Sequence, residues 1–331
     1  MSRVQSDDLR ISVVIATYNR AGLLDDCLRH LLAQPWRTGD EIVVADNGST
    51  DATPDVLARY RGLMPDRLQS VVEATPGKSA ALQRALTCVT GHVVALTDDD
   101  VRVGSDWIEA IRTAFADPTV VLAGGPVHPR WDRPAPPWLQ IGPGPYSRLA
   151  APVALLHYGA GTLDLGQRTL LGANMAIRRE ALAEIGGFAN HLGKLRDTLL
   201  SGEDADLCER VRRRGWRAIY TTAVSVEHRV PADRMRVAYY LSWFYWSGIT
   251  HAAMDDVTTT TGRTVLGLPR WLSRRLLSGC AGVVRSIVGR DTARLVDAAV
   301  DVAFVCGYAV RHWRLTPAAR PLPDTPGKVL S

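Results

Sequence analysis

Short apolar runs and helical patterns alternate through the first 125 residues, and that alternation leaves few folds open to the chain. Ile11–Ala16, Glu41–Ala45, Leu68–Val72 and Val93–Leu96 are rich in Val, Ile and Leu and read as strands. Between the first two, Leu23, Leu24, Cys27, Leu28, Leu31 and Leu32 recur at helical spacing. Further helices are predicted from about Ala52 to Tyr60, from Gly77 to Thr90 and over 105–115. Strands and helices in this order form a parallel sheet covered by helices. Its ligands bind beyond the carboxyl ends of the strands.

Polar residues collect at that edge. The fourth run ends on Asp98, Asp99 and Asp100, three consecutive carboxylates that repel one another unless a cation lies among them. A divalent metal answers the repulsion, and a metal held by one or two carboxylates commonly holds phosphates too. A polar turn capping the helix at 105–115 accounts for the same residues, so on this run alone both readings stand. The first strand ends in Thr17-Tyr18-Asn19-Arg20 and the second in Asp46-Asn47-Gly48-Ser49-Thr50-Asp51. Asp46 suits the imide N–H of a uracil edge and Tyr18 suits stacking on a base. Taken alone, Asn-Gly-Ser-Thr-Asp favours a turn and helix cap.

Lys78 opens a helix in Thr75-Pro76-Gly77-Lys78-Ser79, where an ammonium and a helix N-terminus together suit a base or phosphate. Position 72 is Val, so the GxxxxGK[ST] spacing of a P-loop is missing. The first βα turn lacks GxGxxG, which disfavours a dinucleotide dehydrogenase. Ser201-Gly202-Glu203-Asp204-Ala205-Asp206 precedes the Leu207–Arg214 helix, and its acids together with Arg212, Arg213 and Arg214 complement the helix dipole. Glu203-Asp204 after a flexible Gly202 also offers a general base to a bound hydroxyl. His228 is open to two readings, a metal ligand or an ordinary polar residue.

At 331 residues, 46% hydrophobic and 22% charged, the chain can build one large domain or two smaller ones. From His228 onward it carries 14 Lys and Arg against 7 Asp and Glu; before it the count is 25 against 27. The basic character therefore belongs to the C-terminal third. No nucleic-acid motif appears, so no nucleic-acid partner is expected, and an anionic membrane surface is. Five cysteines without a CxxC pair point to thiols in a reducing compartment rather than disulfides or zinc. MSRVQSDDLR has no hydrophobic signal region, and no segment reaches the ~18 apolar residues that span a bilayer. A cytoplasmic protein is expected, at most peripheral to the inner face of the cell membrane.

Residues 126–170 break the alternation with eight prolines, several glycines, Trp131 and Trp138. They read as one long irregular segment, either a binding wall or lid or a simple excursion. Regular structure resumes with a strand at Asn174–Arg178, a helix at Arg179–Ile185, a Gly186-Gly187-Phe188 turn and a strand at Ala218–Thr221. Beyond Asp233 the pattern is mostly helical and amphipathic. Tyr239, Tyr240, Trp243, Phe244, Tyr245 and Trp246, with arginines at 270, 274, 275, 285 and 290, suit a lipid surface, a buried helical subdomain or a homodimer contact.

In order along the chain, VVIATYNR, EIVVADNGSTD, GKSAALQRAL, VVALTDDD, GANMAIRREALAEIGGF, SGEDADLCERVRRRGW and VEHR resemble the family 2 glycosyltransferases. The match covers roughly residues 10–230, and seven segments in one order make it specific. The resemblance implies an α/β GT-A fold over 1–230: a Rossmann-like, mostly parallel sheet flanked by helices, with a helical C-terminal region over 231–331. It implies an inverting, metal-dependent hexosyltransferase of bacterial polysaccharide or glycoconjugate assembly. The donor would be a nucleotide-diphosphate sugar, UDP-sugar favoured, and the acceptor a hydroxyl of a glycan, lipid-linked or small-molecule partner. Thr17, Tyr18, Asn19, Asp46, Lys78, Asp98 and Asp99 fall to the donor site, with Asp46 on the base. Asp98 and Asp100 form the DxD motif that holds Mg²⁺ or Mn²⁺, His228 completes the metal site, and Asp204 is the catalytic base. Asp99 has no separate role in this scheme, and Gln83 stands where the family usually carries Asn. Two rival classes are a catalytically idle sugar-nucleotide binder and a nucleotidyltransferase. The intact acids disfavour the first, and residues 16–22, with Gly22 alone, disfavour the second.

Overall fold

The computed structural model describes residues 8–139, 141–142, 144–188, 202–257, 264–265 and 268–313. Ser201, at the head of the acid-rich segment, and the chain beyond 313 lie outside the described residues. The chain divides into two units, Met1–Tyr240 and Leu241–Ser331.

The first unit opens with strand β1 (Ile11–Thr17) and helix α1 (Ala21–Leu32), then β2 (Glu41–Asp46), α2 (Thr53–Leu63), β3 (Leu68–Val72) and α3 (Lys78–Leu86). In α1, Leu24, Cys27, Leu28 and Leu31 are buried at i, i+3, i+4 and i+7, so one face of the helix is turned into the core. Each buried Leu contributes about 2 kcal/mol. α3 stops short of the predicted Thr90. The Thr87 hydroxyl bonds back to the Arg84 carbonyl, and Thr90 gives its hydroxyl to Glu41 instead of extending the helix.

β4 (Val93–Thr97) ends at the acid run, and a short strand, β5 (Val101–Val103), follows at once. Next come α4 (Trp107–Ala114), β6 (Val120–Gly124), β7 (Val127–Trp131), β8 (Thr162–Asp164) and β9 (Asn174–Arg178). α5 (Arg179–Glu184), α6 (Glu203–Arg213), β10 (Arg217–Thr221) and β11 (Val226–Val230) close the strand-bearing part.

Eight strands form one sheet in the order β3-β2-β1-β4-β9-β6-β10-β8. β1 pairs in parallel with β2 and β4, so the strand order reverses at β1 and opens a crevice there. The sheet is mostly parallel, as expected, with one interior antiparallel strand. β9 lies antiparallel between β4 and β6, because the chain enters it at the edge where β4 ends, with Asn174 opposite Thr97. One feature departs from the sequence-based expectation: the segment 126–170 is not wholly irregular, since it contains β7, β8 and a 3₁₀ turn at Arg148–Val153. β7 is an edge strand of a three-stranded sheet, β5-β11-β7, where Pro129 sacrifices no essential ladder bond.

Asn174 fastens the start of β9. It is fully buried, donates to the Pro126 and Val224 carbonyls at 3.0 and 2.8 Å, and accepts from Trp107 Nε1 at 2.9 Å. Asn174→Ala strands the Trp107 indole N–H and the Val224 carbonyl, while the Pro126 carbonyl keeps the Val226 N–H. It is expected to cost about 3 kcal/mol and to lower Tm by roughly 10 °C in a melting experiment.

The second unit begins within α7 (Val237–Val257) and runs through a hairpin, β12 (Thr264–Val265) and β13 (Leu268–Pro269), to α8 (Arg270–Gly289) and α9 (Thr292–His312). The Asp291 carboxylate caps α9 by accepting the Arg294 N–H at 3.0 Å. No helix among the described residues is long and apolar enough to cross a membrane.

Candidate active site

The acid run sits at the β1/β4 crevice, and each of its carboxylates meets a basic partner. Lys78, the first residue of α3, places Nζ 2.5 Å from Asp98 Oδ1. Arg20, just before α1, reaches Asp99 at 2.8 Å and Asp100 at 3.1 Å through the same Nη1. Thr17, the last residue of β1, donates its hydroxyl to the other oxygen of Asp99 at 2.8 Å. Asp99 is thus buried as an anchor between β1, Arg20 and the end of β4. Burial pushes its carboxyl up, Arg20 pulls it down, and the Asp100 charge pushes it up again, with a net upward shift.

Asp100 is also buried. The pairing of β11 with β5 sets His228 opposite Val101 and so beside Asp100, with Nε2 3.3 Å from Oδ1. That is an ion-pair distance without hydrogen-bond geometry, and Oδ1 remains buried with no hydrogen-bond partner. The same holds for His228 Nδ1. Burial works to raise Asp100, yet His228, Arg20 and Arg234 outweigh it and hold the carboxyl well below the usual range.

Asp204 lies in the first turn of α6, deep in the protein but not closed to solvent. Its carboxyl is pushed up to about 7, chiefly by burial and then by the neighbouring Glu203 charge. Lys78 and the backbone N–H of Gly172 oppose the shift. Burial also works against the Lys78 charge, but Asp98, Asp204 and Glu203 outweigh it and raise its pKa. Lys78 therefore links the acid run electrostatically to Asp204. Gly172 permits the close approach of the carboxylate, because a Cβ built there would lie 2.6 Å from Asp204 Oδ1.

Other predicted residues serve the local turns. Asp46, opposite Thr17 in the β1/β2 pairing, is buried and accepts the Ser49 N–H at 2.9 Å. Asn19 adopts a left-handed backbone with φ 51° and accepts the Thr50 N–H at 2.7 Å. Tyr18 is half-buried at the same strand end. Gln83 accepts the Phe188 N–H at 3.2 Å, tying α3 to the Gly186-Gly187-Phe188 turn. Arg20 and Gly172 fell outside the sequence-based site. Arg20 had a signal, a basic residue closing a strand-end turn at the edge where the acids collect; Gly172 had none. A cavity of about 270 Å³ bordered by Asp164, Cys208, Arg212 and Trp216 belongs to the other end of α6 and contains none of these groups.

The donor set can be weighed for a divalent ion. An unpartnered buried carboxylate oxygen on Asp100, the His228 imidazole and the half-buried Asp98 are ligand types that suit Mg²⁺ or, with imidazole, Mn²⁺. They fit in kind. Among the described residues no three His, Cys, Asp or Glu side chains already converge on one ion-sized point.

The fold is shared with a mannosyltransferase from Pyrobaculum calidifontis solved in complex with GDP-Man and Mn²⁺. The two are 20% identical, the match covers 92% of this chain and 88% of that one, and the TM-score is 0.59. The sheet and its helices thus define the GT-A class of glycosyltransferases. Within that class the chain belongs to glycosyl transferase family 2, whose family profile matches residues 12–186, and it is a glycosyltransferase. Relatives include the glucosyl-dolichyl phosphate glucuronosyltransferase of Haloferax volcanii, 26% identical over 251 residues, 75% of this chain and 78% of the relative. The succinoglycan biosynthesis protein ExoM of Rhizobium meliloti is 28% identical over 256 residues, 75% of this chain and 76% of the relative.

Proposed function

We propose that the chain is an inverting, metal-assisted transferase that moves a sugar from a nucleotide-diphosphate sugar, UDP-sugar favoured, to a hydroxyl of a lipid-linked or polysaccharide acceptor. The observation that carries this reading is the placement of a carboxylate with raised proton affinity, Asp204, across Lys78 from the acid run. The names of the two relatives, one acting on a dolichyl-linked sugar and one in succinoglycan synthesis, support a lipid-linked or glycan acceptor.

In this reading Asp204 takes the acceptor hydroxyl's proton as that oxygen attacks the anomeric carbon. The new C–O bond forms on one face while the bond to the diphosphate breaks on the other, its electron pair leaving with the phosphate. Configuration inverts, and one carboxylate suffices. Asp98, Asp100 and His228 would hold the divalent ion, which when bound neutralises the charge gathering on the diphosphate. Asp46 stands at the β2 end for the base edge, and Tyr18 beside it for stacking. Thr17 and Asp99 hold the crevice in shape from beneath, and Asn19 fixes the turn. Lys78 secures Asp98 and restrains the proton affinity of Asp204.

A panel of UDP-, GDP- and dTDP-sugars with Mn²⁺, read by thermal shift, tests the donor. A true donor at about 100 times its Kd adds about 2.7 kcal/mol, a rise in Tm of several degrees. UDP-sugars are expected to give it. A flat response across the panel overturns the reading.

A further inference from the structure

Helix α8 wears its side chains inside out. The residues it buries, Leu272, Gly279 and Ser286, recur every seven positions, and two of the three are small. Against α9 the fit is close: a Cβ on Gly279 would lie 3.1 Å from the Ala298 carbonyl oxygen, and one on Gly282 2.8 Å from the Ala298 Cβ. The large apolar residues face the other way. Leu277 is 71% exposed, Val284 and Ile287 61%, and Val288 81%. Leu277, Ala281, Val284 and Val288, spaced 4, 3 and 4 residues apart, make one stripe along a helix of about 30 Å. A surface helix that only packed on its own protein would put these residues inside.

The charge along this stripe identifies its occupant. α8 contains arginines at 270, 274, 275 and 285 and no acid. Arg275 is turned inward, 2.6 Å from Asp301 and over the Phe304 ring. Arg270, Arg274 and Arg285 are exposed; on the helical wheel Arg274 and Arg285 flank the apolar stripe on one side, and Arg270 lies in line with the stripe at its N-terminal end. In a two-fold dimer built on this face, arginine would oppose arginine with no carboxylate from α8 to pair with it. A bilayer rich in anionic lipid offers phosphates to the arginines and acyl chains to the leucine and valines.

We propose that the outward face of α8 docks in the plane of an anionic membrane surface, with Leu277, Val284 and Val288 in the acyl boundary and Arg270, Arg274 and Arg285 on lipid phosphates. The docking is independent of the donor and acceptor of the transfer reaction. Flotation of the full chain with vesicles tests it. The protein is expected to rise with 7:3 phosphatidylcholine–phosphatidylglycerol vesicles and to stay behind with phosphatidylcholine alone. Arg274→Gln with Arg285→Gln should weaken binding about 25-fold, near fivefold per arginine. Leu277→Glu with Val284→Glu should abolish flotation at an unchanged melting temperature, as expected for side chains already in solvent. Failure of the wild-type chain to float with the anionic vesicles overturns the proposal. So does undiminished flotation of the Glu variant, or light scattering that shows a dimer which this variant dissociates.

Discussion

Asp204→Asn is expected to cut turnover by about 10²–10⁴-fold while donor affinity, measured by calorimetry with Mn²⁺, stays near that of the unaltered enzyme. The amide keeps the size and position of the carboxylate at the start of α6 but cannot accept the acceptor's proton. The pH profile gives an independent check. A base must be ionised, and burial beside Glu203 pushes the Asp204 carboxyl up to about 7. Activity should therefore rise about tenfold per pH unit below 7 and level off above it, rather than inflecting near pH 4. The residual activity of Asp204→Asn should lack that limb. Gly172→Ala is the conservative companion. It crowds the carboxylate through a Cβ 2.6 Å from Oδ1, so kcat should fall with donor affinity unchanged. Loss of donor binding in step with turnover would make Asp204 a structural residue and sink its assignment.

Asp98→Ala combined with Asp100→Ala is expected to remove the metal dependence of nucleotide binding, with at least about a 100-fold loss of metal affinity. The two carboxylates differ in what else they hold. Asp98 is half-buried with Lys78 as its ion-pair partner, whereas Asp100 is buried between Arg20 and His228. Its removal takes the carboxylate from His228 and one of two from Arg20, which keeps Asp99, so a melting curve without metal must separate lost stability from lost ligation. Titration of the folded double variant with UDP, with and without Mn²⁺, decides the question. Identical isotherms for variant and unaltered protein would refute the metal assignment.

Much of this was readable from local pattern. Val, Ile and Leu runs located β1 to β4 and β9, since a buried strand needs little else, and polar residues at the strand ends marked the crevice. Asp46, Asp100 and His228 are buried and Asp98 is half-buried, and such types are costly to bury without a partner. The demand for positive charge among three adjacent carboxylates was sound. What one residue cannot announce is that Arg20 and Lys78 supply part of it, because those pairings join positions 79 and 20 residues apart. Asp99 illustrates the limit. Between two acids of assigned function it looked redundant, and only the Thr17 hydroxyl and Arg20 show it as an anchor. The direction of β9 was equally hidden, because alternation reports the faces of a strand and not its neighbours.

The antiparallel insertion of β9 also bears on how the protein is made. During synthesis β4 and β6 leave the ribosome well before β9, and each carries fully buried apolar residues beside a ladder edge that only β9 will close. Until Arg178 emerges, the nascent chain exposes two unpaired, uncharged edges, the kind of template on which copies of a chain aggregate. Fragments that stop earlier keep both edges open permanently. Truncations before Arg178 are therefore expected to be less soluble than the full chain, and slowing translation or cooling the host should improve yield more than trimming it.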